Sequence, residues 1–302
     1  MWTQPATQQT RKQFSTVSCI SALCLLLMPQ AVSGQATEVA PVKHLKSPFD
    51  FAARSDEKHH LQPVMHVMRG VLDHIDQQVH DYSCTLIKRE RLDDELGERQ
   101  HIFMKVRQQP FSVYMHFLQP HKDREVLYVY KKNDGEMIAK NGGQSNLKEV
   151  TLSLKPDSKR AMRGRHYPIT EIGMASIIQR LIEETKISMN VDIDRRECQE
   201  QIIDNARIEG RSCRCVQVVF PQKREHLKFH LVRVFLDSET GLPIRFAAYS
   251  WPKEPGGSPR LIEEYTFLNL QINVGLSEAD FDRDNPAYDF YSAKDAQDEA
   301  AE

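Results

Sequence analysis

The residues able to do chemistry are few, and their spacing restricts what they can do. Cys213 and Cys215 stand two apart, so in a strand both turn to one face. Cys198 lies just upstream. A closed loop of about 15 residues contributes roughly 3 kcal/mol in the chain-entropy model. A disulfide from Cys198 to Cys213 is therefore the first expectation, and Cys198 to Cys215 the second. Cys84 stands alone and reads as a small buried hydrophobe. His59, His60, His66, His74 and His80 crowd one segment, but no two are four apart and they share no helix face. No metal ligand set is expected there. Asp192-Ile193-Asp194 lacks the glycine of an EF-hand loop. The chain has no Gly-x-Ser-x-Gly, no His-Glu-x-x-His and no phosphate-binding glycine loop. No catalytic residue and no cofactor are expected. A hydrolase site assembled from distant positions is the enzymatic alternative.

The remaining chemistry is apolar binding. In Ser112–Leu118 one face carries Val113, Met115 and Phe117, and the other Tyr114, His116 and Leu118. In the next strand Val126, Tyr128 and Tyr130 alternate with Leu127 and Val129. A sheet packed on one side and wet on the other alternates apolar with polar residues. Two apolar faces require two apolar environments: helices on one side, and on the other a second layer, a curl of the sheet or a cavity. A plain core fits the same pattern. The cavity candidates are Val113, Met115, Phe117, Tyr128 and Tyr130, with an acyl chain or lipidated protein segment as ligand. A polypeptide or envelope-protein partner is the alternative.

Periodicity supplies the scaffold. Leu61, Val64, Met65, Met68, Leu72, Ile75 and Val79 form one stripe of a helix expected over Ser55–His80. Alternation then predicts strands at Asp81–Leu92, Gln100–Gln108, Ser112–Leu118, Val126–Lys131 and Glu136–Lys140, with one more at Glu149–Leu154. Asn133-Asp134-Gly135 marks a hairpin. A second helix is expected after an N-cap at Thr170, with Ile172, Ala175, Ile178, Gln179 and Ile182 on one face. Strands resume at Ala206–Glu209, Cys213–Phe220, Phe229–Asp237, Leu242–Trp251 and Leu261–Asn273. The expected class is α+β. One large curled antiparallel sheet of ten or eleven strands is covered by an N-terminal helix and a helix inserted mid-chain.

Arg11 and Lys12 precede an apolar run, Phe14–Met28, followed by Ala31-Val32-Ser33, and no acidic residue precedes Glu38. That is a signal-peptide pattern, so residues 1–33 are expected to be removed on export to the periplasm or beyond. Residues 34–48 read as a flexible lead-in, 49–290 as a single domain and 291–302 as an acidic disordered tail. The net charge of −2 with scattered lysines and arginines argues against nucleic acid. No run after the signal is long enough to span a membrane.

Four segments carry a resemblance: Tyr82–Arg91 (YSCTLIKRER), Lys105–Tyr114 (KVRQQPFSVY), Arg163–Gly173 (RGRHYPITEIG) and Gly275–Phe281 (GLSEADF). They resemble an exported bacterial domain family of unknown function, over about residues 60–290. Thr240–Arg245 (TGLPIR) and the closing Leu-x-x-x-Asp-Phe are also similar to the LolA/LolB-like superfamily of periplasmic lipoprotein carriers. That likeness implies a half-barrel whose apolar groove is closed by helices. The narrower family usually has glycine before Arg-Glu-Val, where this chain has Asp123 before Arg124. The resemblance brings no catalytic residues.

Overall fold

The computed structural model describes residues 59–142, 151–191 and 198–290, all within the compact unit Val42–Glu302. The expected signal peptide, the lead-in, the Asp192–Asp194 pair and the acidic tail lie outside the described residues.

Helix α1 spans Gln62–Gln78. Pro63 fits the first turn, where its missing N–H costs no helical bond, and sets the start later than Ser55. Its buried stripe is Val64, Met65, Val67, Met68, Val71 and Ile75. Twelve strands follow in one antiparallel sheet: β1 (Asp81–Leu92), β2 (Glu95–Leu96), β3 (Gln100–Arg107), β4 (Ser112–Gln119), β5 (Arg124–Val129), β6 (Met137–Lys140), β7 (Thr151–Leu154), β8 (Gln199–Ile208), β9 (Arg211–Val219), β10 (Leu231–Asp237), β11 (Pro243–Ser250) and β12 (Arg260–Ile272). Helix α2 (Met174–Val191) is inserted between β7 and β8.

The spatial order is β7-β6-β5-β4-β3-β1-β12-β11-β10-β9-β8, with β2 folded onto β1. The first and last long strands therefore pair at the centre, and two meanders run outward from them. The sheet is open, so the α+β class is as expected. The Asp134-Gly135 hairpin joins β5 to β6, with Leu127 opposite Ile138. Asp237 Oδ1 closes the β10–β11 turn by accepting from Thr240 N at 2.8 Å and from Thr240 Oγ1 at 2.9 Å.

Helix α2 starts later than its expected cap. Thr170 lies in a short 3-10 turn, Ile169–Glu171, and Gly173 breaks the path at φ 107°. A side chain at 173 would also meet Tyr82 Oη at 2.8 Å, so glycine is required there. The buried face is Met174, Ile177, Ile178, Leu181 and Ile182, which leaves Gln179 exposed and bonded to Glu183.

Both apolar faces of β4 and β5 are accounted for. Val113, Met115, Phe117, Val126 and Tyr128 join the large core under the two helices. On the reverse face Tyr114, Leu127, Val129 and Ile138 are covered by the segment after β12, through Phe281 and Phe290. Tyr288 stacks on Tyr114 with ring centroids 3.7 Å apart. Lys105 to Asp280 at 2.8 Å and Arg107 to Glu278 at 2.7 Å fasten this strap. The second environment is thus a second layer contributed by the chain's own C-terminal stretch.

The register corrects the disulfide expectation. Gln199 pairs with Val219, Ile203 with Cys215 and Ala206 with Cys213, so Cys198 sits at a different level of the β8–β9 hairpin from both Cys215 and Cys213. Five residues of strand separate it from the level of Cys215, about 17 Å, and the level of Cys213 lies further along. A disulfide needs Cα atoms within about 7 Å. Cys84, Cys198, Cys213 and Cys215 are all buried and none is bridged.

Candidate functional site

The apolar opening lies away from the expected strands. On β9 and β10 Val216 faces Val234 and Val218 faces Val232 in register, and these β-branched pairs form a floor. Helix α1 adds Val64 and Met68, with Leu61 just before its first turn, and α2 adds Leu181, Thr185 and Ser188. The loop joining β9 to β10 closes one side with Phe220, Leu227 and Phe229. At the mouth Lys228 of that loop is paired with Glu184 of α2. The cavity measures about 50 Å³. Sites for drug-sized ligands occupy some 300–1,000 Å³, so this cleft is nearly shut in the form described.

The candidates named from the sequence do not line this cleft. Val113, Met115, Phe117 and Tyr128 are 0%, 2%, 3% and 6% exposed and belong to the packed core, whereas Tyr130 is 51% exposed beyond the end of β5. Periodicity identified apolar positions correctly but could not tell filled space from empty space. A wider hollow of about 310 Å³ lies between the β5–β6 hairpin and the strap. Its floor is Leu127, Val129 and Ile138, and its rim carries Lys132, Glu136, Glu278 and Arg283.

A buried polar network holds α2 in place, and the sequence reading missed it. Glu90 of β1 lies directly opposite Glu263 of β12, and both are buried. Two facing carboxylates repel unless cations and donors offset them. Lys88 Nζ lies 2.9 Å from Glu90 Oε2, and Tyr265 Oη donates to Glu90 Oε1. Tyr167 Oη donates to Glu263 Oε1 at 3.0 Å. His166 Nδ1 sits 2.7 Å from Glu263 Oε2, and its Nε2 2.8 Å from the Arg91 carbonyl. Both ring nitrogens face acceptors, an arrangement that a doubly protonated imidazole satisfies. The Arg180 guanidinium of α2 lies 3.7 Å from the Tyr167 ring. The loop entering α2 is thereby pinned to the two central strands.

Glu90, His166 and Glu263 bring one ligand atom each to within 4.8 Å of one another, as a metal site would require. The donor set is already occupied, however. The carboxylate oxygens and both ring nitrogens have hydrogen-bond partners, and Lys88 brings a positive charge. The arrangement is that of a latch.

The latch carries a pH dependence. The Glu263 hydrogen bond raises the His166 pKa, helped by the Arg91 carbonyl and the nearby carboxylates, while burial opposes them. A histidine whose folded pKa is raised stabilises the fold fully below its unfolded value, about 6.5, and loses that contribution as pH rises through the folded value. Urea midpoints should therefore fall as pH increases above about 6.5. The same series in His166→Gln should be flatter. Equal slopes would remove His166 from the latch.

A family model described as "Protein of unknown function (DUF1571)" matches residues 79–290. No curated protein matches the sequence. Among solved structures, the Mycobacterium tuberculosis lipoprotein LppX is 12% identical and aligns over 72% of this chain and 100% of its own, with a TM-score of 0.39. A putative outer membrane lipoprotein-sorting protein domain from Vibrio parahaemolyticus is 12% identical over 72% and 96%, with a TM-score of 0.32. A LolA superfamily protein from Nitrosomonas europaea is 8% identical over 72% and 98%, with a TM-score of 0.29. Overlaps this weak carry no functional argument.

Proposed function

The chain belongs to the DUF1571 family of proteins of unknown function, and from that premise we propose that it is an exported, non-enzymatic protein that binds an acyl chain in the cleft between its two helices and strands β9 and β10. The observation that carries this reading is the composition of the cleft. Its floor is valine, its walls are mostly aliphatic and aromatic, and its charged pair, Glu184 and Lys228, stands at the mouth. The acyl chain belongs to a free lipid or to a lipidated protein. Burial contributes about 0.8 kcal/mol per methylene, so ten methylenes gather roughly 8 kcal/mol. That is of the size needed to offset ordering of the ligand and parting of α2 from the sheet. Among the described residues no helix is long and apolar enough to cross a membrane.

Val218→Trp fills the floor and tests the reading. A fluorescent fatty acid should bind the natural chain and lose binding in V218W, with circular dichroism unchanged. Equal binding by both would place the ligand elsewhere. A polypeptide partner remains the second reading, favoured by the charged rim of the hollow beside the strap. Lysine and glutamate around an aliphatic floor suit a peptide better than a lipid tail.

A further inference from the structure

The strap displays the chemistry that the reverse face of the sheet accepts. Lys105, Tyr114, Leu127 and Ile138 stand in one row across β3, β4, β5 and β6. In each of four ion pairs the strap supplies the acid and the face the base. Asp280 meets Lys105, Glu278 meets both Arg107 and Lys132, and Asp289 meets Lys140. Aromatic rings sit among these charges. Tyr288 stacks on Tyr114, and the Phe281 ring lies 5.0 Å from the Arg107 guanidinium carbon.

One buried group narrows the class of occupant further. Glu125 lies opposite Lys140 in register, and both are buried. Its carboxylate accepts from Tyr114 Oη at 2.6 Å and from the Asp289 backbone N–H at 2.8 Å. A buried carboxylate needs donors on whatever covers it. A peptide backbone supplies an N–H there, whereas a phosphate backbone brings only acceptors and like charge.

The strap holds this face incompletely. The Glu278 and Asp289 side chains are each 60% exposed, and exposed ion pairs contribute little and weaken in salt. At its base the strap is moored by Asp81, whose carboxylate accepts from the N–H groups of Gly275 and Leu276, both at 3.2 Å. Beside Phe281, Asp282 and Arg283 it leaves the hollow of about 310 Å³ over Leu127, Val129 and Ile138. An incoming segment has a place to begin there.

We propose that the reverse face of β3 to β6 is a docking surface for an acidic, aromatic-bearing segment of another polypeptide, and that the strap is a built-in occupant which this segment displaces. The proposal rests on the polypeptide reading of the hollow and not on the acyl reading of the cleft.

Fluorescence anisotropy of a labelled synthetic peptide with the sequence of residues 275–290, titrated with the full chain, tests it. A tethered segment competes at roughly millimolar effective concentration, so the natural chain should bind the peptide weakly. Tyr288→Ala removes the strap's stacked ring while leaving the helix-side core intact, and it should tighten binding about tenfold. Asp289→Ala keeps every ring and should act the same way by a smaller factor, which decides the matter if Y288A does not fold. Adding Lys105→Glu to either variant should reverse the gain. A peptide carrying lysine at positions 278, 280 and 289 should not bind. Equal binding by the natural chain, Y288A and D289A would place the peptide in the hollow with the strap still seated: displacement fails and the polypeptide reading survives. No binding to any of them at millimolar peptide sinks both. Equal binding of the lysine peptide, or tighter binding of a single-stranded oligonucleotide, overturns the assigned partner chemistry.

Discussion

Glu263→Ala will destabilise the protein by about 3–5 kcal/mol, the cost of breaking a buried ion pair from one side. Removal of this carboxylate leaves His166 Nδ1 and Tyr167 Oη without their hydrogen-bond acceptor, and leaves Glu90 to be shared by Lys88 and His166. Glu263→Gln keeps an acceptor and should lose less. Urea unfolding at neutral pH measures both. A loss below about 1 kcal/mol for the alanine variant would put the network in the class of exposed ion pairs and end its role as the anchor of α2.

Met115→Asp will abolish folding. Met115 is buried beside Val113, Phe117 and Val126 in the core beneath the helices, and the site offers a carboxylate no partner. Met115→Ala should cost about 2–5 kcal/mol, which includes the cavity it leaves. Tyr114→Asp on the reverse face breaks the stack with Tyr288 and the 2.6 Å bond to Glu125, and it should release the strap. Near-ultraviolet circular dichroism and solubility distinguish these outcomes. A folded, soluble M115D with unchanged binding elsewhere would show that this face borders empty space.

Much of the scaffold was legible because it depends on period and turn chemistry. The Asp134-Gly135 hairpin, the alternating run of β1 and the stripe of α1 each follow from local rules. Strand β8 was read too short because it is an edge strand. Gln199–Asn205 are mostly exposed, so no alternation marks them. The strap was missed for a related reason: Phe281, Tyr288 and Phe290 are single aromatics in a polar stretch, without a period. Apart from the Lys88–Glu90 pair, the latch bonds residues 75 to 175 positions apart in the chain. One signal did exist. Lys88 and Glu90 share parity with Tyr82, Cys84 and Leu86, the buried face of β1, so their charges belong to the helix-side interior. Glu263 and Tyr265 share parity with Phe267 in the same way. A charge on the apolar parity of a strand is a stronger pointer to a buried network than the charge alternation itself.

The location of the ligand is the central claim, and nuclear Overhauser contacts between a protonated fatty acid and methyl-labelled protein test it most directly. Contacts are expected from the acyl methylenes to the methyl groups of Val64, Leu181, Val216, Val218 and Val234. Contacts confined to Leu127, Val129 and Ile138 beside the strap, or no contacts at saturating ligand, would contradict it.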